Sequence, residues 1–438
     1  MPGAPTPARY QSRDQPLEAL LAGLLIFTSV LDLWVAPFPI GRFHLRASEL
    51  LVLPGALVLL HRLGRLGRRA FWPPFAVPAL LLPGFYLGWS LINSAEPTAA
   101  LGHSALLVLD VLQYWLVAVL AGTSWAQFRR CLGWVAVAVI PMCLWMAISY
   151  RLNLNSHFED IALGDVMAGS AAMRLNGGVL AATAGAWAAV LCCGGLGLGR
   201  VANLLAVLGI CGGVLAAIVG ISRAAIVALV LGMALLGYVL ARKGHLRSLL
   251  VLALVSVLVA AFTLAMLQRL FPTTGLSASV SGRVALLLDP SGYNTGTVRA
   301  RVQSWTMMLD DVARDPLWGR GGDSYHMYFP VGVADSENFT IEILHGTGIW
   351  GFGALLWLVG GVLIGAYRRA ISDGLSMRQR RMVAAALAAM VALFVASQTN
   401  PIGWSAVFWV ALGLAAAATR LPQPRTALAP SFARLRAR

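Results

Sequence analysis

Long apolar stretches separated by short polar segments recur along the whole chain. Each stretch of about 20 residues, rich in Leu, Ala, Val and Gly, can cross a hydrocarbon core of roughly 30 Å as an α-helix. Such unbroken runs are not the short alternating strands of a membrane β-barrel. The pattern therefore predicts an all-α, polytopic transmembrane bundle of about twelve spans. The predicted spans cover residues 17–38, 47–61, 74–93, 103–123, 131–150, 175–197, 201–220, 223–241, 248–270, 347–367, 381–399 and 404–419.

One connection is much longer than the others. About 75 residues separate the ninth and tenth spans, and connections of that length are usually functional or disordered. The expected organisation is nine spans in residues 1–270, an outer loop or cap in 271–346, and three spans with a basic tail in 347–438. Within the loop, a helix is predicted from an N-cap at Thr297 to a stop at Asp315-Pro316. Its buried stripe is expected to contain Val298, Val302, Trp305, Leu309 and Val312.

Composition and charge placement agree with a membrane protein. The chain is 58% hydrophobic and only 12% charged, with a net charge of +15. Because most arginines lie between spans, this charge indicates orientation and not a nucleic-acid partner. The basic loops are consistently on one side, which predicts cytoplasmic termini and an outer position for the long loop. The five cysteines lie in or beside apolar segments and form no disulfide or zinc pattern.

Several arginines are predicted on the outer side. Arg223 opens the eighth span, where the charge rule disfavours arginine, so it is either functional or an interfacial residue. Arg301 flanks the stripe of the loop helix and either turns toward the membrane or is an ordinary surface residue. Arg174 opens the sixth span, and Arg283 and Arg320 in the loop are weaker candidates. Guanidinium groups converging on one face suit the oxygens of a diphosphate.

The end of the outer loop carries a carboxylate. Glu337 lies where the loop meets the membrane, on the predicted side of the arginines, and can accept the proton of a sugar hydroxyl. The alternative is structural, because Asp335, Ser336 or Glu337 can cap a helix that begins near Phe339. The residues by themselves support both interpretations.

Other polar residues of the loop have less to place them. His345 lies about two turns beyond Glu337 and is either a base or a polar interfacial residue, and His326 is similar. Asp310 and Asp311 are expected to face solvent in mid-helix. There is no phosphate-binding glycine loop and no paired-acid motif beside a span, so neither a metal nor a cofactor is predicted.

Short motifs recur in a recognisable order. "SRAAIVAL" opens a span at Ser222-Arg223, Arg301 precedes Trp305 in a helix that leads to "DPLWGRG", and "ENFTIEILHGTGIWGFG" follows. "RLNGG" lies earlier, at Arg174. This combination, over roughly residues 170–355, resembles the O-antigen ligase and Wzy-type polymerase superfamily of bacterial envelope glycan assembly. This chain has Glu337 before Asn338 where many members have a histidine, and polymerase-like members carry acidic residues there.

The resemblance implies glycosyl transfer at the periplasmic face of the bacterial inner membrane. The donor would be a glycan on undecaprenyl diphosphate, held by Arg223 and Arg301 without a metal. Glu337 would deprotonate the acceptor sugar hydroxyl. The substrate-binding residues would be Arg174, Asn338, Trp305, His326 and His345.

The acceptor distinguishes two activities within this group. A polymerase transfers the glycan to another lipid-linked glycan, whereas a ligase transfers it to the lipid A core; the first is favoured here. A transporter or a flippase for lipid-linked oligosaccharides is the alternative from another class, because about twelve spans is a common transporter layout. In every case membrane lipids are expected partners.

Overall fold

The described part of the chain is helical apart from one short hairpin. The computed structural model describes residues 15–32, 38–40, 43–66, 71–135, 137–138, 223–242, 254, 258, 265, 269, 296–322, 324, 338–399 and 401–422. The helices are α1 (Gln15–Leu31), α2 (Ala47–Leu50), α3 (Val52–Leu66), α4 (Ala76–Ile92), α5 (Pro97–Ala121), α6 (described over 125–135 and 137–138), α7 (Arg223–Ala241), α8 (Gly296–Arg314), α9 (Phe339–Ile371), α10 (Met377–Ala396) and α11 (Ala406–Arg420). Strands β1 (Phe38–Ile40) and β2 (Phe43–Leu45) pair antiparallel, and a 3₁₀ turn covers Pro401–Trp404.

The predicted helical class is confirmed for these residues. Three described helices, α5, α9 and α10, are long and apolar enough to cross a membrane by their length and composition. The bounds of α7 equal those predicted, whereas α9 begins eight residues earlier than the tenth predicted span and extends four residues beyond it. The predicted spans at 175–197 and 201–220, most of those at 131–150 and 248–270, and loop residues 271–295 lie outside the described residues.

Helix α5 occupies the centre of the described bundle. It packs against α1, α3, α4 and α11, and α11 in turn packs against α9 and α10. Large aromatic side chains fill this core, and Tyr114, Phe339, Phe408 and Trp409 are completely buried. Full burial of each such side chain contributes roughly 1.5–3 kcal/mol. Where glycine and alanine take the place of larger residues, helices approach closely, as at Gly413 of α11 against Tyr114.

Helix α3 has an outward apolar stripe. Leu53, Leu57 and Leu60 are more than half exposed and recur at helical spacing on one side. A soluble protein rarely exposes leucines in a row of this kind. The stripe is what a helix facing hydrocarbon requires, which agrees with a membrane-embedded bundle.

Helix α9 is broken near its N-terminal end. Gly348 has φ 62° and ψ −166°, so the helix of 33 residues consists of two helical segments joined at this residue. A Cβ at Gly348 would lie 2.6 Å from the carbonyl oxygen of Leu317, and an L-residue is strained at this φ in any case. Only glycine fits this position, and the break frees backbone groups that need partners elsewhere.

The C-terminal end of α9 is regular and is held by arginines. Arg369 Nη2 donates to the carbonyl oxygens of Leu421 (2.7 Å) and Pro422 (3.1 Å). Arg380 donates through Nε to Ala370 O (3.0 Å) and through Nη2 to Ser372 O (2.8 Å). Helix C-termini leave carbonyl groups without intrahelical partners, and these arginines satisfy them.

Candidate active site

The glycine-rich segment after α8 supplies the partners that the break in α9 requires. The amide N–H groups of Arg320 and Gly321 donate to the carbonyl oxygens of His345 and Gly346, each at 2.9 Å. The N–H of Ile349 donates to Pro316 O at 3.0 Å. The two backbones therefore run side by side at the mouth of α9, and irregular backbone is tolerated near a membrane only when it is paired in this way.

The glycines of this segment are needed for the close approach. A Cβ at Gly319 would lie 2.0 Å from the oxygen of Gly346, and one at Gly322 would lie 2.7 Å from the ring of Tyr86. Gly321 has φ +85°, in the left-handed region that favours glycine. The "GRGG" motif is thus a docking strip that joins the segment containing α8, here called the cap, to α4 and α9.

Helix α4 and the residue that follows it, Asn93, also contact the paired backbones of the docking strip and α9. Trp89 Nε1 donates to the carbonyl oxygen of Thr347 at 3.1 Å, and Asn93 Nδ2 donates to Gly319 O at 3.0 Å. The N–H of Gly322 donates to the buried hydroxyl of Ser90 at 2.8 Å. Three segments that are far apart in sequence consequently meet at the break in α9.

The buried face of α8, called the docked face, carries Ser304, Met308 and Asp311 and differs from the predicted one. Val302 and Leu309 are 49% and 43% exposed, whereas Met308 is fully buried and Ser304 is nearly so. The predicted apolar stripe is therefore wrong as the buried face at Val302 and Leu309, whereas Trp305 and Val312 are half-buried and the helix ends at Arg314 as expected. The reason is that polar contacts through Asp311 orient the helix.

Asp311 joins the cap to α9. Its carboxylate accepts two hydrogen bonds from the Arg320 guanidinium, from Nε and Nη2, both at 2.8 Å. Its Oδ2 also lies 3.1 Å from His345 Nε2. Asp311 is buried while its neighbour Asp310 is exposed, so the expectation that both acids face solvent is wrong for Asp311. A paired and hydrogen-bonded carboxylate can be buried where an isolated one cannot.

His345 has protein partners at both ring nitrogens. Besides the contact of Nε2 with Asp311, its Nδ1 lies 2.7 Å from Ser324 Oγ. The imidazole is 1% exposed. With the Nε2 proton directed at the carboxylate, Nδ1 accepts the hydroxyl proton of Ser324. This chain of contacts fixes the cap against the first segment of α9, and it restrains Ser324 thirteen residues before Glu337.

A second buried acid lies one turn inside α9. Glu342 is 5% exposed and accepts a hydrogen bond from the indole N–H of Trp404. Around this indole lie the rings of Phe339 (5.3 Å between centroids), Tyr86 (5.6 Å) and His103 (5.9 Å). The sequence interpretation did not single out Glu342 or Trp404, although an acid within the first turn of a membrane helix is a signal for such a site.

The predicted site residues have different positions in the structure. Arg301 lies one turn before Ser304 on the docked face of α8 and is half-buried, as is Trp305. The side-chain oxygen of Asn338 accepts from the N–H of Ile341 at 3.0 Å, which makes Asn338 the N-cap of α9. Arg223 is the first residue of α7. Outside the described residues lie the side chain of Arg223 and the whole of Arg174, His326 and Glu337.

The cap of α9 also bears on the second interpretation of Glu337. The helix begins at Phe339 as expected, and a capping oxygen comes from Asn338, which is not among the three residues predicted for this role. Glu337 is next to this fixed residue along the chain. Among the residues that the structure describes, no group of three His, Cys, Asp or Glu side chains could hold a metal ion.

The apolar helices, with a distant likeness to a membrane permease, define an integral membrane protein. The likeness is to the vitamin B12 import system permease protein BtuC of Escherichia coli, at 33% identity over 129 residues in an O157:H7 strain and an O6:H1 strain. The matched part is 29% of this chain and 34% of the permease, so the chain spans about a third of the length of these relatives.

A family match is more specific about the site. Residues 204–358, which include α7, α8 and the broken part of α9, match the family model for O-antigen ligase. The predicted resemblance to the O-antigen ligase and Wzy-type superfamily is confirmed over this segment. The segment brings together the docking strip, Asp311, His345 and Arg301, and the match supports a glycan-transferring membrane enzyme of polysaccharide assembly.

Proposed function

We propose that the protein transfers a glycan from a polyprenyl diphosphate to a sugar hydroxyl at the outer face of the membrane, as a polymerase of envelope polysaccharide. The observation that carries this proposal is the family match over residues 204–358, the segment whose cap helix docks on the mouth of α9. An undecaprenyl chain is the proposed lipid of the donor, and the bacterial inner membrane is the proposed location.

Arg301 is proposed to hold the diphosphate with Arg223, and with Arg174 as a further ligand. Support comes from its half-buried position on the docked face of α8, one turn before buried Ser304. A guanidinium group pairs with phosphate oxygens through two parallel hydrogen bonds and cannot lose its proton near neutral pH. Such groups stabilise the negative charge that develops on the leaving diphosphate, which needs no metal ion for this step.

Glu337 is proposed as the base. During transfer, the bond between the donor sugar carbon and the diphosphate oxygen breaks, and its electron pair leaves with the diphosphate. The acceptor oxygen forms the new glycosidic bond while its proton passes to the Glu337 carboxylate. Support for this role comes from the sequence neighbour of Glu337, Asn338, whose side chain caps α9. Trp305, Asn338, His326 and His345 are proposed to line the substrate path or to support it.

The envelope glycans of a deletion strain test the activity. A polymerase defect leaves single repeat units on the acceptor, whereas a ligase defect leaves long chains on the polyprenyl carrier. Unchanged glycans contradict both. The ligase activity, with the lipid A core as acceptor, is the second outcome of this experiment, and complementation with the plasmid-borne gene is its control.

Single variants test the residues. Arg301→Ala and Arg223→Ala are expected to lower turnover by about 10²–10³-fold while the protein still inserts, because each removes a charge-stabilising donor. The matched control is Arg314→Ala, an exposed arginine at the end of the same helix as Arg301. Glu337→Gln should be inactive if Glu337 is the base. Full activity of Arg301→Ala would remove the proposed diphosphate site.

A transporter is the second candidate function. It is favoured by the likeness to the BtuC permease, a vitamin B12 import protein by its name, and a lipid-linked oligosaccharide flippase is a variant of it. Purified protein in liposomes distinguishes the classes. Elongation of a lipid-linked glycan supplied on the outer face supports transfer, whereas translocation of the glycan without elongation supports a flippase.

A further inference from the structure

Four ionisable groups lie together outside the candidate active site, where α1, α2 and α5 meet. Asp110 lies near the middle of the 25-residue helix α5, roughly 20 Å from its first residue at the helical rise of 1.5 Å. Its side chain is completely buried. An ionisable residue at this depth of a membrane helix is expensive and is by default a candidate for function.

Hydrogen bonds hold the other members of this cluster in place. The N–H of Ser48 donates to both carboxylate oxygens of Asp32, at 3.2 and 3.1 Å. The N–H of Arg46 donates to Glu49 Oε2 at 2.8 Å. Gln113, one turn beyond Asp110 on the same face of α5, donates through Nε2 to the hydroxyl of Ser48 at 3.1 Å. The end of α1 and the start of α2 are thereby tied to the centre of α5.

Several buried oxygens of this cluster, including both of Asp110, lack hydrogen-bond donors. Arg46 Nη1 lies 3.6 Å from Asp110 Oδ1 and 3.7 Å from Glu49 Oε1, which are ion-pair distances but too long for hydrogen bonds. Within the described part of the chain, both oxygens of Asp110, Glu49 Oε1 and Gln113 Oε1 are buried without a hydrogen-bond partner. A buried carboxylate anion normally accepts several hydrogen bonds, so this arrangement fits poorly with an ionised Asp110.

The charges of the cluster also do not balance. Among the residues that the structure describes, Glu49 and Asp110 lie at ion-pair distance from the Arg46 guanidinium, and Asp32 is a third carboxyl group within its electrostatic reach. Full ionisation would leave two net negative charges in a buried place, and buried charge of this kind is neutralised by uptake of protons or by a cation. A metal ion is the poorer fit, because no three carboxylates in the described residues are placed to hold one.

We infer that this cluster is a proton-binding site, in which the Asp110 carboxyl group carries an exchangeable proton. The proton supplies a hydrogen-bond donor to a cluster in which Glu49 Oε1 and Gln113 Oε1 are buried acceptors without one. It also leaves Arg46 to share its charge between Asp32 and Glu49. Since three helices contribute to the cluster, loss of this proton weakens their packing against one another. This site is independent of the proposed glycan transfer.

Infrared spectroscopy of the purified full-length protein tests this inference directly. The carbonyl stretch of a protonated carboxylic acid, which carboxylates do not show, is expected at neutral pH and should shift in D₂O. Asp110→Asn should remove it, and this variant should fold because an amide has the shape of the protonated acid and can donate. The matched control is Glu96→Gln, an exposed acid at the N-cap of the same helix, which should leave the band unchanged.

Thermal unfolding provides a second measurement. A group that is protonated when folded and ionised when unfolded makes stability fall as pH rises, so the unfolding temperature of the wild type should fall between neutral and alkaline pH. Asp110→Asn should remove most of that dependence, and Glu96→Gln should not. A wild-type protein without an acid band, a band that persists in Asp110→Asn, or stability that follows Na⁺ at constant pH would overturn the inference. If Asp110→Asn cannot be purified, the wild type labelled with carboxyl-¹³C aspartate takes its place. The acid band should then shift to lower frequency, and a band that does not shift does not come from an aspartic acid and would overturn the inference.

Discussion

The two ends of α9 are held by different means. At the C-terminal end the helix is regular, and Arg369 and Arg380 bind carbonyl groups of neighbouring helix ends and of the chain after α11. At the N-terminal end the helix is broken at Gly348, and its backbone groups pair with the docking strip. At the C-terminal end arginine side chains close helix ends, whereas at the break backbone pairs with backbone and α4 adds side-chain contacts. A site that must bring several residues together requires the second kind of construction.

Gly348→Ala is expected to have the largest effect on stability. The substitution places a Cβ at a positive φ and 2.6 Å from Leu317 O, which should cost about 3 kcal/mol or more and separate the cap from α9. Unfolding of the purified protein in detergent measures this loss. Gly353→Ala is the control in the same helix, where no atom lies within 4 Å of the added methyl group. Equal stability of the two variants would mean that the break is not needed.

Asp311→Asn is expected to follow. It removes the charge that binds Arg320 and weakens the contact with His345, at a cost of about 2 kcal/mol after allowance for the partial exposure of Arg320. Glycan transfer should fall as well, because the cap is no longer held at the mouth of α9. Asp310→Asn changes the exposed neighbour and should alter neither unfolding nor transfer. A similar effect of the two variants would contradict the role given to Asp311.

Arg369→Ala tests the C-terminal end of α9. Loss of its two hydrogen bonds to Leu421 and Pro422 should destabilise the protein by about 1–2 kcal/mol. The catalytic rate per folded molecule should remain that of the wild type, which separates the C-terminal end from the N-terminal one. The exposed neighbour Arg368 provides the control, since Arg368→Ala should leave the unfolding temperature unchanged.

Asn338→Ala is expected to have the smallest effect on stability. It removes the N-cap hydrogen bond to Ile341, which is worth about 1 kcal/mol. Asn338→Asp preserves a capping oxygen and should restore stability. If activity is lost in both variants while stability returns in the second, Asn338 also binds substrate, as the resemblance implies. If activity falls with stability in Asn338→Ala and returns with it in Asn338→Asp, the role of Asn338 is limited to capping.

Local features of the fold could be predicted well. The bounds of α7, the end of α8 at Arg314 and the start of α9 at Phe339 agree with the structure. Each depends on neighbours within a few residues, through an apolar run, a proline stop or a capping side chain. The capping residue is Asn338, whereas the prediction named Asp335, Ser336 or Glu337. Adjacent polar residues can all serve as caps, so the sequence does not distinguish between them.

The buried face of α8 could not be predicted in the same way. Its most apolar positions, Val302 and Leu309, face outward, and its docked face carries Ser304 and Asp311. Helical periodicity identifies an apolar side but cannot identify what that side meets. The partner of Asp311 at Arg320 is nine residues away, and its partner His345 is 34 residues away. Such pairings depend on the position that the cap takes against the helical bundle in the complete fold.

The sequence by itself determined a membrane-embedded helical protein and its resemblance to the O-antigen ligase and Wzy-type superfamily. Apolar length and backbone hydrogen bonds within four residues decide where helices form, and both can be read along the chain. Only the tertiary structure decided that α9 breaks at Gly348, that the "GRGG" strip pairs with the break, and that Asp311 is buried. Those outcomes depend on contacts between residues distant in sequence, where a backbone group or a carboxylate is stabilised only by the partner that the complete fold brings to it.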